Sequence, residues 1–183
     1  ILADVAIWGS LSVLTITISK SIFNAGTWGY SIMEGFYGIG ALISTVLIIK
    51  IVVVIGRVNS LLVFYFIAGI MCYMIPFSYS IFLAAIAYFF MGLTNNSARI
   101  IIRTIFMEKI PNKIMGRVQT IFGVYTRLMV IASSLLAGWV VESISVKNAM
   151  LFSSFHYLIA FIGTLVLANI WLGNNIFIKN DLG

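Results

Sequence analysis

The chain has 183 residues, 62% of them hydrophobic and 9% charged, with a mean hydropathy of +1.12. Soluble domains carry about a quarter charged residues, so a water-soluble fold would lack the polar surface to cover itself. Its net charge of +6 sits mostly at the ends of apolar runs rather than on one soluble face, which excludes the pattern of a nucleic-acid binder.

Strands that cross a membrane are ~10 residues long and alternate in polarity. The apolar runs here are longer and unbroken, so the expected class is an all-α membrane protein. The length accommodates about six spans of ~20 residues with short loops. The first span is expected over residues 3–23, with Asp4 near its start and Lys20 near its end. A turn at residues 24–27 leads to the second span, 29–49. There Gly35 and Gly38 share nearly one face, which lets a neighbouring backbone approach closely. Residues 50–59 read as a short basic connection containing Gly56 and Arg57. The third span is placed at 60–76 and the fourth at 81–106, the latter with Asn95, Asn96, Ser97 and Arg99 in its second half. A charged loop follows, then a fifth span at 118–141, a polar turn at 142–148, a sixth span at 149–171 and a polar tail at 173–183.

Lysine and arginine counts in short loops orient such a chain. The second–third and fourth–fifth loops, with the tail, carry Lys50, Arg57, Lys109, Lys113, Arg117 and Lys179, against Lys20 and Lys147 on the other side. The charged loops and both chain ends are therefore expected in the cytoplasm, with the protein multi-pass in the cell membrane. Trp28 and Trp139 fall at the outer boundary and Trp171 at the inner one, where interfacial aromatics concentrate.

The most charged stretch runs from Met107 to Thr120. Pro111 cannot continue a helix and biases Ile110 towards extended geometry. Glu108 precedes it, and Gly116-Arg117-Val118 opens the next span, so a Glu108–Arg117 pair would fix two helices against each other. This pattern resembles the loop between the tenth and eleventh helices of the major facilitator superfamily. It is most similar to the drug, macrolide and siderophore exporter branch, with Met115 where that branch has the first Arg of Arg-Gly-Arg. The small-residue run from Ser133 to Gly138 echoes the family's following helix. In the second–third loop only Gly56 and Arg57 match the family pattern, and Val53 and Val54 stand where an Asp and an Arg are usual. The resemblance implies the carboxy-terminal six-helix half of a twelve-helix carrier. Its partners would be the amino-terminal half, the lipid bilayer, a small-molecule substrate and a proton. It implies alternating-access transport, with proton-coupled efflux of drugs or small metabolites as the specific reading. A solute importer of the same fold and a non-transporting carrier-fold protein are the alternatives. The cytoplasmic gate would comprise Gly56, Arg57, Glu108, Pro111, Gly116 and Arg117. The chain begins at Ile1 and enters a span almost at once, so it is expected to be the second half of a longer protein.

Enzyme chemistry finds no support in the residues. One His, one Cys and few carboxylates offer neither the several ligands a metal needs nor a nucleophile with a nearby base, and no cofactor is implied. Polar groups inside spans are the better guide, because buried charge in lipid is costly and marks pathways. Arg127 lies ten residues after Arg117, about 15 Å along a helix, near the centre of a ~30 Å core. It is either a substrate or coupling charge, or the structural partner of a carboxylate from the absent half. Glu34 is a coupling candidate, or merely wet. Asp4 is a candidate whose position near a helix start also suits the helix dipole. Arg99 either lines the inner vestibule or reaches the interface. Asn95 and Asn96 bind substrate or join helices, and His156 is a relay or an interhelical donor.

Overall fold

The computed structural model describes residues 2–173, with side chains from 7 to 168. The Asp4 side chain, Trp171 as an interfacial anchor and the tail with Lys179 lie outside the described residues. Among the described residues, six long helices make up the fold: α1 (Leu2–Ser21), α2 (Gly26–Ile55), α3 (Arg57–Met74), α4 (Ile81–Lys109), α5 (Asn112–Ser143) and α6 (Val146–Gly173). A 3₁₀ turn, Ile75–Phe77, extends α3 through Pro76. Among the described residues, α2 to α6 are each long and apolar enough to cross a membrane. This is the architecture of a multi-pass α-helical membrane protein.

The connections are shorter than the sequence suggests. Residues 50–59 do not form a loop: α2 runs on to Ile55, α3 starts at Arg57, and Gly56 alone joins them. Gly56 has φ 80°, which a residue without a Cβ adopts at no steric cost. Likewise α4 persists through Glu108 to Lys109 and α5 begins at Asn112. Only Ile110 and Pro111 interrupt the chain, with Ile110 extended at ψ 122° as the following proline requires. Charged residues in these stretches are good helix formers, so polarity ended the apolar run without ending the helix. At ~1.5 Å per residue, α2, α4 and α5 are each over ~40 Å long and project beyond a ~30 Å hydrocarbon core.

Packing is set by small residues. The α2–α4 seam is the most extensive among the described residues. A Cβ on Gly40 would lie 2.1 Å from the Phe89 carbonyl oxygen, and one on Gly92 would lie 2.0 Å from that of Tyr37. Gly35 and Gly38 do not serve this purpose, since nothing stands near either. The close approach expected of them falls on Gly40, which turns to α4. The second extensive seam joins α1 to α5, where Gly9 meets the Val130 carbonyl and Ser134 donates to the Gly9 carbonyl at 2.8 Å. The remaining main contacts are α3 with α6, α3 with α4, and α1 with α6.

These contacts have a hidden regularity. Exchanging α1, α2 and α3 with α4, α5 and α6 maps the α1–α5 seam onto α4–α2 and α1–α6 onto α4–α3. The α3–α6 contact maps onto itself, and α2–α3 onto α5–α6. Helices three apart in a chain that reverses at each turn run in opposite directions, so the two triplets form an inverted repeat. The α1–α2 contact breaks the pattern, having no counterpart of similar extent between α4 and α5.

Candidate functional site

Three polar assemblies stand out in the bundle. The first is a clasp at the end where the basic residues gather. Arg57 opens α3 and Glu108 lies in the last turn of α4. Two guanidinium nitrogens of Arg57 donate to the two carboxylate oxygens of Glu108, at 2.5 and 2.9 Å. This fork-to-fork geometry is the strong form of the pair. Arg57 holds the Glu108 carboxyl below its ordinary range, through the hydrogen bond first and its charge second. The expected Glu108–Arg117 pair is not formed. Arg117 is exposed on α5 and pairs with no carboxylate among the described residues. The one-residue turn at Gly56 is what brings Arg57 to Glu108, and Pro111 carries α5 away from it. Gly116 faces open space and has no part in the clasp.

The second assembly is a set of hydrogen bonds inside the bundle. The Asn96 amide donates to the Ala41 carbonyl at 3.0 Å and to Ser44 Oγ at 2.7 Å, tying α4 to α2. The buried Asn95 amide donates to the Tyr157 hydroxyl at 2.7 Å, tying α4 to α6. Both asparagines therefore spend donors on neighbouring helices. Thr15 of α1 gives its hydrogen to the Leu11 carbonyl at 2.7 Å. The Tyr88 hydroxyl, 2.8 Å away, is then the donor to Thr15, since a hydroxyl has one hydrogen. Glu34, half-buried on α2, lies against the same Thr15. His156 packs edge-on against Phe152, and its Nδ1 has no hydrogen-bond partner.

The third assembly occupies an open face beside α1. The Arg99 guanidinium lies 4.3 Å from the centre of the Trp8 ring. Trp8 in turn meets Tyr37 edge-to-face at 5.6 Å. Arg99 is exposed, and so is Arg103 one turn further along α4. On the other flank Arg127 is exposed on α5. It lies seven residues from Ser134, hence on nearly the same stripe, and Ser134 bonds to Gly9 beside Trp8. Ile121, Val124, Leu128, Ile131 and Leu135 are exposed around Arg127. A guanidinium at that depth facing lipid costs about 2.5–3.5 kcal/mol on insertion scales. This face therefore belongs against protein or water.

Of the sequence-level candidates, the structure brings Arg99, Glu34 and the flank of Arg127 to the neighbourhood of α1, and places Asn95 and Asn96 in the packing. The sequence reading passed over Trp8, Thr15, Tyr88 and Arg103. Arg103 was visible as a charge inside an apolar run, whereas Trp8 acquires its role only by meeting Arg99 across the fold. A groove of about 390 Å³ between α5 and α6, lined by Leu136, Trp139, Ile144, Phe152 and Phe155, is hydrocarbon in character and offers nothing for a polar substrate. No group of three or more metal-ligating side chains occurs among the described residues. No protein-family model, curated protein or solved structure matches the chain.

Proposed function

We propose that this chain is the carboxy-terminal six-helix half of a secondary transporter of the major facilitator type, working by alternating access with proton coupling. The observation that carries the reading is the inverted repeat of three plus three helices. Carrier halves are built on such repeats, with the substrate site near the bilayer midplane. The polar face beside α1 suits that site, and Glu34, beside Thr15 and Tyr88, is the coupling carboxylate. The Arg57–Glu108 clasp is the gate contact, holding α3 and α4 together at the cytoplasmic side in one state. On the positive-inside rule, the end bearing Lys50, Arg57, Lys109, Lys113 and Arg117 is cytoplasmic, as are both ends of the chain in the cell membrane. The face around Arg127 is covered by the amino-terminal half of the carrier. Efflux of a drug or small metabolite is the specific direction the loop resemblance favours.

The test is accumulation of a mixed panel (macrolide, quinolone, cationic dye, siderophore) in pump-deficient cells expressing the intact protein. Lower accumulation that a protonophore abolishes is the expected result. Unchanged accumulation of every compound, with the protein shown to be in the membrane, overturns the efflux reading in favour of an importer or a non-transporting relative.

A further inference from the structure

The groove between α5 and α6 adjoins a polar niche. Leu136 and Phe152 line both the groove and this smaller space of about 10 Å³, which Ser10 of α1, Ser133 of α5 and His156 of α6 also line. A space of that size has room for about one oxygen with its hydrogens. The groove itself, at about 390 Å³, falls in the range of small-molecule pockets, which are mostly apolar and aromatic with a few placed polar groups. Trp139, Phe152 and Phe155 supply the aromatic walls, and the niche supplies the polar groups.

What the niche recognises follows from its hydrogens. Ser133 donates to the Val130 carbonyl at 3.0 Å and Ser10 to the Ile7 carbonyl at 2.9 Å. A hydroxyl has one hydrogen, so Ser133 offers a ligand only lone pairs. The neutral imidazole of His156 carries one N–H, and its buried Nδ1 has no hydrogen-bond partner. Phe152 holds that ring edge-on, with centroids 5.4 Å apart, where groove and niche meet. No Asp, Glu, Lys or Arg lines either space. A charged ligand would lose its hydration there without a counter-ion, so the occupant is neutral.

Depth adds an orientation. Ser133 lies ten residues before the end of α5, and His156 ten residues after the start of α6. The niche is therefore about 15 Å from the α5–α6 turn, at the middle of a ~30 Å core. The groove runs from there towards the turn, at Ile144 and Asn148. A ligand with its polar atom in the niche lies with that atom deep and its apolar body directed outwards. An amphiphile dissolved in a bilayer lies the other way, with its polar atom at the water.

We infer that the α5–α6 groove binds a neutral, lipid-soluble alcohol, whose hydroxyl enters the niche, accepts from the His156 imidazole and donates to Ser133 Oγ. A ketone or an ether lacks the donor, and a carboxylate or ammonium carries charge, so the alcohol is the class that fits. The inference goes beyond the carrier reading and does not depend on it, since neither Glu34 nor the Arg57–Glu108 clasp lines either space.

The intact protein in phosphatidylcholine nanodiscs is photolabelled with a decanol that carries a diazirine at its tail end, and the adducts are mapped by mass spectrometry. Saturable labelling near the turn, at Trp139, Ile144 or Leu151, is expected, because the inverted ligand puts its tail there. Unlabelled decanol should compete, and decyl methyl ether and decane should each compete at least about threefold less well. His156→Phe, which keeps a ring against Phe152, and Ser133→Ala should each weaken competition by decanol about three- to tenfold, the effect of one hydrogen bond. His156→Gln returns a donor and should recover part of the loss. The comparison of alcohol, ether and alkane on the unaltered protein decides the matter even where a variant fails to fold. Unsaturable labelling at bilayer-centre depth on every lipid-facing helix means that the alcohol is merely dissolved in the bilayer, and overturns the site. Equal competition by the ether overturns the hydroxyl's place in the niche.

Discussion

The α2–α4 and α1–α5 seams occupy equivalent places in the inverted repeat, yet they are built differently. In the α2–α4 seam two glycines on opposite helices each receive the other helix's carbonyl, Gly40 that of Phe89 and Gly92 that of Tyr37. Asn96 adds two hydrogen bonds across it. The α1–α5 seam has Gly9 alone, meeting one carbonyl and the Ser133 hydroxyl, with Ser134 as its tie. The lesson is that one half of the repeat is clamped by backbone on both sides, while the other retains side-chain freedom. Its looser seam adjoins the face with Trp8 and Arg127, where the proposed alternating-access cycle needs a moving element.

The largest expected effect tests that contrast directly. Gly92→Ala sets a Cβ against backbone that has no rotamer to escape into. Overpacking of this kind costs typically 1–3 kcal/mol, and the Gly92 site belongs at about 3 kcal/mol. At Gly9→Ala the nearest atom is the Ser133 Oγ, which turns away, although the Val130 carbonyl still obstructs. A loss of about 2 kcal/mol is expected there. Reversible unfolding in mixed micelles reads both, and a greater loss at Gly9 would refute the ordering.

How far the sequence anticipated this molecule depends on what each feature needs. Six helices follow from long apolar runs between turn signals, and Pro111 and Gly56 both mark real interruptions. Helix ends did not follow, because Lys50, Glu108, Lys109 and Lys113 are polar yet helical, so the boundary of hydrophobicity and the boundary of the helix part company. Which glycine touches a neighbour is equally illegible from one helix. Gly35, Gly38 and Gly40 are alike until α4 is set against them, and only Gly40 turns towards it. The clasp shows the same limit. The place of Glu108 before Pro111 leads one to expect an ion pair there, but its partner, Arg57, lies 51 positions away and is brought in by the one-residue turn at Gly56. Nearness in sequence suggested Arg117 instead.

A smaller effect sharpens the same comparison at the level of hydrogen bonds. Interhelical hydrogen bonds in membranes average about 0.6 kcal/mol with a maximum near 1.7. Asn96→Ala removes two at once, to Ala41 and Ser44, and is expected to cost about 1 kcal/mol. Ser134→Ala removes one, to Gly9, and should cost about 0.5 kcal/mol. If both are measured by unfolding in the same micelles and Ser134 proves the costlier, the α1–α5 seam is the tighter one and the assignment of mobility to it fails.

The smallest effect on stability, and the one that bears most on the proposed gate, concerns the clasp. Both partners are substantially exposed, and exposed pairs contribute little to folding. Its consequence should appear instead in how often the basic end opens. With Cys72 replaced by Ala and Ile110→Cys as the only thiol, the rate of maleimide labelling reports access between α4 and α5. Arg57→Ala is expected to raise that rate several-fold, while Arg117→Ala leaves it unchanged because Arg117 takes no part in the pair. Exchanging the charges, with Arg57→Glu and Glu108→Arg together, should return the rate towards its starting value. The pH dependence has a definite sign. A carboxyl whose folded pKa is lowered from the ordinary 4.5 contributes fully above that value and loses its contribution as pH falls through the lowered one. Labelling should therefore be flat from about pH 8 to 5 on this linkage, and increase only in stronger acid. A rise between pH 7 and 6 would mean that protons act on the clasp itself. The coupling role proposed for Glu34 would then pass to Glu108, and the proposed gate and proton site would be one structure instead of two.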